Sequence, residues 1–211
     1  TLEAAIHTAR ELIAGQSALT LARFLDDSAA VPLLDLVTLE NDQRDRPDEL
    51  RIYVVSRATI KAMHASSSPD TPRLKVFQDL RKSNQLTTLR VTKQEVLGGA
   101  LRDKHKVLAI SYPWQGFGDP DSTNDRLDTV VAYLEEERPD IEYVWWDFLC
   151  VPQTTNIPDN TTGKVEHPYP TTYVKNDFDQ LYFKTMINKG GVNLIYLGAH
   201  VLAIANALYI Q

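Results

Sequence analysis

Two short polar segments carry the side chains with which this chain could bind a ligand or do chemistry. Each begins where an apolar run ends: SYPWQGFGDPDS follows VLAI, and DFLCVPQ follows YVWW. Together they offer hydroxyl, carboxylate, thiol and amide groups, which are common donors, acceptors and nucleophiles of protein sites. The candidate ligand- or partner-binding residues are Ser111, Tyr112, Trp114, Asp147, Cys150 and Gln153.

The spacing of these residues argues against several kinds of site. The first segment lacks the G-x-G-x-x-G and Walker A spacings of phosphate-binding loops, and Asp119 and Asp121 would repel a phosphate. Ser111 does not lie in a G-x-S-x-G elbow, and no histidine lies near Cys150 in sequence to activate its thiol. The histidines show no metal-ligand spacing. We therefore expect no metal and no cofactor, and we assign no catalytic residue.

Structural roles remain open as alternatives for the same residues. The first segment could be a turn with its own helix cap, for example Ser122 with Asp125. Asp147 could cap the amides of its own loop instead of contacting a ligand. Cys150 is expected to be a small buried apolar group.

Three apolar runs in the second half of the chain predict the sheet that positions these residues. Residues 106–111, 143–147 and 200–205 each contain an uninterrupted apolar run, which is typical of strands covered on both faces. Segments with helical spacing separate them, so the pattern is β-α-β-α-β. We predict adjacent parallel strands in an α/β domain over residues 101–211, with residues 106–111 in the middle. The candidate residues would then lie at the carboxyl ends of strands, where open α/β sheets bind ligands. We also predict that Asp147 and the Ser111–Trp114 segment approach each other at this edge of the sheet.

Residues 1–100 predict a mixed α+β region that serves as a scaffold. Helical spacing, β-branched runs and charged stretches alternate in this region, but no motif with chemistry in it occurs. The predicted elements include helices over residues 2–13 and 18–25, a charged loop over 40–49 and strands over 51–55 and 87–92.

The two polar segments, in their order and interval, resemble the heterokaryon-incompatibility (HET) domain of fungi. That family reads approximately A-L-S-Y-x-W-G in a first block and W-I-D-x-L-C-I-D-Q in a second. The first block is matched by Ala109, Ser111, Tyr112, Trp114 and Gly116, with Gln115 inserted. The second block is matched by Trp146, Asp147, Leu149, Cys150 and Gln153, with a tryptophan in place of the isoleucine and Pro152 in place of an aspartate. The next block of the family is similar to Met186, Tyr196, Ala199 and residues 201–204, so the resemblance spans about residues 106–205.

The resemblance implies the fold of the Toll/interleukin-1 receptor (TIR) superfamily. That fold is a parallel, flavodoxin-like sheet with order 2-1-3 for the three recognisable strands. HET domains act in self/non-self recognition and cell death. Some TIR domains hydrolyse NAD with a glutamate on the helix after the third strand. We expect the HET/TIR-like domain to be truncated after its third strand, so that this glutamate is absent.

Composition narrows the function classes further. The 211 residues carry a formal net charge of −6, which argues against a nucleic-acid partner. No stretch reaches the roughly 18 apolar residues of a membrane span. Cys150 is the only cysteine, so no intrachain disulfide can form, and we expect an intracellular, reducing compartment.

Two classes of function follow from the sequence. The first is a non-enzymatic interaction or structural subunit that docks in a larger assembly through its HET/TIR-like domain. The strand at residues 200–205 would have one neighbour and an open far edge, so protein partners are expected near Val201–Ile204. The alternative is a signalling or cell-death domain that hydrolyses NAD when complete.

Overall fold

The structure is a computed structural model that describes residues 27–66, 74–113, 120–121, 123–158, 161–165, 169–188 and 190–205. These residues form five strands and nine helices. The strands are β1 (Glu49–Ser56), β2 (Leu86–Thr92), β3 (Val107–Ser111), β4 (Tyr143–Trp146) and β5 (His200–Ala203). The helices are α1 (Asp27–Asp45), α2 (Arg57–Ala65), α3 (Phe77–Lys82), α4 (Lys93–Leu97), α5 (Ala100–Asp103), α6 (Asp125–Glu136), α7 (Asp147–Cys150), α8 (Asp177–Asn188) and α9 (Gly191–Gly198).

The strands form one open sheet in the order β2-β1-β4-β3-β5. β3 pairs in parallel with β4 on one side and with β5 on the other. The prediction of three adjacent parallel strands, with residues 106–111 in the middle, is therefore confirmed. Four of the five residues of β3 are buried, as its uninterrupted apolar run indicates for a strand covered on both faces.

The prediction of a parallel, flavodoxin-like sheet with order 2-1-3 is wrong for the sheet as a whole. β1 pairs antiparallel with both β2 and β4, so the sheet is mixed. The pairing of β1 with β4 is short, with Val55 opposite Val144 and Ser56 opposite Tyr143. β4 is buried and needs a neighbour on each side, and β1 supplies the second one. The residue pattern of either strand does not predict this pairing, because a pattern within one strand does not identify a partner that lies far away in the sequence.

The two predicted regions of the chain contribute strands to the same sheet. β1 and β2 come from residues 1–100, and they occupy one side of the sheet. The boundary near residue 100 remains a prediction, as does the scaffold role of the first region.

Two local predictions differ from the structure, and two lie outside the described residues. The charged stretch at residues 40–49, predicted as a loop, is helical to Asp45, because its Glu, Gln and Arg residues are good helix formers. Pro47 then keeps the helix from continuing. The helical spacing from Phe178 to Ile195 forms two helices, separated at Gly190, whose φ of 69° suits glycine. The helices predicted over residues 2–13 and 18–25 lie outside the described residues.

Among the described residues, no helix is long and apolar enough to span a lipid bilayer.

Candidate functional site

The carboxyl ends of β3 and β4 bring two predicted site residues into contact. Tyr112 follows the last residue of β3, and Asp147 follows the last residue of β4. Because Ile110 lies opposite Trp146 in the parallel pair, both residues leave the sheet at the same end. The Tyr112 hydroxyl donates a hydrogen bond of 2.9 Å to Asp147 Oδ1. The prediction that Asp147 approaches the segment that starts at Ser111 is confirmed.

Asp147 also caps the short helix α7, of which it is the first residue. Its Oδ1 accepts a hydrogen bond of 2.6 Å from the backbone N–H of Phe148. Its carbonyl oxygen accepts from the backbone N–H of Val151 at 2.8 Å. The local capping role that the sequence allowed for Asp147 therefore exists, together with the contact to Tyr112. A ligand role for this carboxylate stays a prediction.

Tyr112 serves this contact as a neutral hydrogen-bond donor. Burial raises the pKa of its hydroxyl well above the ordinary value, and the negative charge of Asp147 raises it further. The ring packs edge-on against Trp146, with 5.4 Å between ring centres. The Arg126 guanidinium lies 5.0 Å from the ring centre, which is within the range of a cation–π contact.

Gln153 closes the turn that follows α7. Its Nε2 donates to the carbonyl oxygens of Asp147, at 3.2 Å, and Val151, at 2.7 Å. Its backbone carbonyl oxygen accepts from Nε2 of Gln78, on α3, at 2.7 Å. The Nε2 group of this buried side chain is thus engaged by the protein itself. We call Tyr112, Asp147, Gln153 and Arg126 the strand-end junction.

Arg126 is the residue of this junction that sequence reasoning missed. Its side chain is almost fully buried, with 2% of the residue exposed. Its Nη1 donates to the carbonyl oxygens of Pro113 and Pro120, the latter at 3.1 Å. Arg126 therefore links Pro113, which follows β3, to Pro120, which precedes α6. An arginine inside the apolar stripe of a predicted helix was the available signal.

The start of α6 is capped by the Asp121 side chain. The Asp121 carboxylate accepts from the backbone N–H groups of Arg126 and Leu127, each at 3.0 Å. Carboxylates at helix N-termini are favourable because they satisfy free N–H groups and oppose the helix dipole. The predicted cap, Ser122, lies outside the described residues. Asp121 thus supports the turn-and-cap interpretation of the first polar segment, and the capping role of Ser122 stays a prediction.

Tyr196 is a second residue that sequence reasoning did not place in the site. Its hydroxyl donates to the carbonyl oxygen of Ile110 at 3.0 Å. Burial, and then the negative charge of Asp147, raise the pKa of Tyr196 to about 12. Its ring packs edge-on against Trp145, with 5.5 Å between ring centres. Helix α9 is thereby fixed to the end of β3.

The remaining candidates have structural surroundings or lie outside the description. Cys150 is buried, its Sγ lies 3.7 Å from the carbonyl oxygen of Val144, and burial raises its pKa to about 12. The expectation of a small buried cysteine is confirmed. Ser111 is half-buried, and its carbonyl accepts from the backbone N–H of Ile204 at 2.8 Å. Trp114 lies outside the described residues.

The chemistry of the junction is that of hydrogen bonding among neutral groups, the Asp147 carboxylate and the Arg126 guanidinium. A tyrosine and a thiol with raised pKa values are protonated at neutral pH, so neither supplies an activated nucleophile. Within the part of the chain that the structure describes, no group of three or more His, Cys, Asp or Glu residues could hold a metal ion.

Comparison with known proteins adds no relative to this picture. No protein-family model matches the chain, and no curated protein and no solved structure matches it.

Proposed function

We propose that this chain is a non-enzymatic interaction subunit built on a HET/TIR-like domain, which docks in a larger assembly. In this proposal a strand of another protein subunit pairs with the outer edge of β5. The observation that carries it is the position of β5 at the end of the sheet, where no described strand pairs with its outer side. Val201, in the middle of this edge, is 44% exposed.

The backbone geometry of β5 indicates the kind of partner. The N–H of Ile204 donates to the carbonyl of Ser111, so Ile204 faces β3. Alternate residues of a strand direct their backbone groups to opposite sides, so Val201 and Ala203 direct theirs outward. Exposed edges are commonly protected by lysine or proline, and the β5 sequence HVLA contains neither. An extended strand satisfies such outward groups directly.

Two further observations support docking rather than catalysis. Leu197, near the end of α9, is 69% exposed only four residues before Val201, so apolar surface lies close to the open edge. In the strand-end junction, Asp147 and Gln153 are engaged in hydrogen bonds within the protein. An intracellular, reducing compartment and the lack of a nucleic-acid partner are part of the same proposal.

Amide hydrogen exchange tests the docking edge, with an internal control. Exchange is followed at Val201 and Ala203 in the isolated chain and in the assembly purified from its native cells. We expect both amides to exchange fast in the isolated chain and slowly in the assembly. The amides of Leu202 and Ile204, which face β3, should be slow in both. Strong protection of Val201 and Ala203 in the isolated chain, or fast exchange in the assembly, would overturn the proposal.

A second experiment separates the interaction subunit from the NAD-hydrolase alternative. The purified chain and its native assembly are incubated with NAD, and released nicotinamide is measured. The proposal expects no turnover above a heat-denatured control. Clear turnover by either sample would replace the proposed function with the enzymatic one.

A further inference from the structure

Helix α1 contacts the β1–β2 side of the sheet through acidic side chains that meet arginines. Asp42 Oδ1 lies 2.7 Å from Arg90 Nη1, and Asp42 Oδ2 lies 3.8 Å from Arg51 Nη1. Arg51 and Arg90 stand directly opposite each other in the antiparallel pair of β1 and β2. Like charges at such positions are destabilising, so Asp42 offsets their repulsion.

A second acidic residue of α1 repeats this contact on α3. Asp35 is paired with Arg81, whose guanidinium lies 3.8 Å from the ring centre of Phe178. Asp35 and Asp42 are about two helical turns apart, so they share one face of α1. Leu39 lies between them on that face and is 1% exposed. We call Arg51, Arg81 and Arg90 the arginine face.

The contact of α1 with the arginine face leaves buried polar atoms unsatisfied and encloses a small cavity. Nε and Nη1 of Arg51 and Oδ2 of Asp42 are buried and have no hydrogen-bond partner. The 3.8 Å between the two groups is too long for a hydrogen bond. A cavity of about 20 Å³ lies beside them, lined also by Gln43 and Thr185, which is room for about one water molecule. A carboxylate that reached Arg51 directly would satisfy this face better than Asp42 does.

The charges that remain without α1 define what the face would accept. Outside α1, Arg90 has Glu49 at 3.4 Å, and Arg81 has Asp179 at 3.6 Å. Arg51 has its guanidinium 5.6 Å from the ring centre of Tyr53. Three cations thus face two carboxylates, so the face complements an acidic ligand.

The geometry points to α1 as a helix that covers the arginine face and that an acidic helix of a partner protein can displace. We call α1 in this role the strap. The partner helix presents two carboxylates seven residues apart, with an apolar residue between them, in the manner of Asp35, Leu39 and Asp42. This interaction goes beyond the proposed function, because it uses the β1–β2 side of the sheet rather than the edge of β5.

A peptide with the sequence of α1, residues 27–45, is the probe for this face. It is labelled with a fluorophore, and its binding to the full chain is measured by anisotropy. The chain variant Asp35→Asn with Asp42→Asn weakens the internal competitor, so we expect it to bind the peptide about 10-fold more tightly than the unaltered chain. The variant Asp45→Asn with Asp48→Asn is the matched control, because it removes the same charge at exposed residues outside the arginine face.

Binding should depend on the aspartates of the peptide as well as on those of the chain. A peptide carrying Asn at both positions should bind at least about 10-fold more weakly than the acidic one, and added salt should weaken the acidic peptide's binding. Equal binding by the two double variants, or no binding by either, would overturn the proposal.

A measurement on the unaltered chain keeps the proposal testable should the variants fold poorly. Raising the salt concentration from about 0.05 M to about 1 M screens the Asp–Arg pairs. Amide exchange in residues 35–45 should then speed up at least about 3-fold, while exchange in α6 stays unchanged. Unchanged exchange in residues 35–45 would show that these charges do not hold the strap, and would overturn the inference.

Discussion

The strand-end junction and the arginine face both hold polar groups, but they do so in different ways. In the junction, Tyr112 and the backbone N–H of Phe148 converge on Asp147, at 2.9 and 2.6 Å. On the arginine face, Asp42 and Arg51 lie 3.8 Å apart, with buried donors and acceptors unsatisfied. The contacts to Asp147 are short hydrogen bonds, whereas the arginine face is a set of ion pairs with a gap.

The difference follows from which elements supply the partners. The junction is built by neighbouring parallel strands whose register fixes Tyr112 and Asp147 at the same end, so the geometry is set by the sheet. The arginine face depends on a helix that precedes β1 in the chain and buries Leu39. Polar contacts set by strand register should therefore contribute to global stability, whereas those of α1 should contribute locally. Substitutions can test this contrast.

Replacement of Arg126 should produce the largest loss. Arg126→Ala removes the donor to the carbonyls of Pro113 and Pro120 and empties a buried volume. We expect the free energy of unfolding to fall by about 2–4 kcal/mol, since each poorly satisfied buried group costs about 1–3 kcal/mol. Urea denaturation measures it. Arg102→Ala, at an exposed arginine paired with its neighbour Asp103, is the control and should change little. Equal effects of the two substitutions would show that the buried hydrogen bonds of Arg126 do not stabilise the fold.

Asp147→Asn should have the next largest effect. The amide keeps the shape of the side chain but removes the charge that holds both the Tyr112 hydroxyl and the Phe148 N–H. We expect a loss of about 1–3 kcal/mol in the free energy of unfolding, with faster amide exchange around residues 111–113. Asp140→Asn makes the same chemical change at an exposed site. If Asp147→Asn left thermal stability and loop exchange unchanged, the carboxylate would have no such role.

The sequence predicted the centre of the sheet well, for a physical reason. Strands buried on both faces need uninterrupted apolar residues, so β3 and β4 were visible as runs, and right-handed crossovers made them parallel neighbours. The meeting of Tyr112 with Asp147 follows from that register. Strand β1 was also visible, but its pairing with β4 was not, because Val55 and Val144 carry no mark that identifies them as partners.

The parts of the site that the sequence did not predict depend on long-range charge placement. Arg126 lies in a helix whose periodicity was recognised, yet an arginine is normally exposed, so its burial under Pro113 and Pro120 was not expected. The charged end of α1 reads as a loop in the sequence, because charge density alone does not distinguish a loop from a solvent-facing helix. Asp42 shows that such a helix can also direct its charges inward.

Asp42→Asn should have a smaller and more local effect than either junction variant. The ion pairs are partly exposed, with 20% of the Asp42 side chain accessible, so we expect a loss of about 0.2–1 kcal/mol. The loss should shrink as salt is raised, because screening weakens the pairs in the unaltered chain. Chemical denaturation at low and high salt measures this, with Asp45→Asn as control. A salt-independent loss above about 2 kcal/mol would place Asp42 in the same class as Asp147.

The smallest expected effect is a pH dependence at the start of β5. Arg138 Nη2 lies 2.7 Å from Nε2 of His200, so this ring nitrogen must accept and the imidazole must be neutral. Burial, and then the charge of Arg138, lower the pKa of His200, while Asp140 and Asp103 act in the opposite direction and Arg102 adds to the lowering. The unfolded chain therefore binds a proton more readily than the folded chain does.

Lower pH should therefore destabilise the folded chain. Stability from His200 is complete above the unfolded pKa of about 6.5 and is lost as the pH falls from there through the lower folded value. Burial also lowers the pKa of His105, which contributes in the same direction. Thermal unfolding from about pH 8 to about pH 5 should show a modest decline that His200→Gln reduces, since glutamine keeps an acceptor for Arg138. His105→Gln separates the second contribution, and a decline left whole by both substitutions would show that neither histidine causes it.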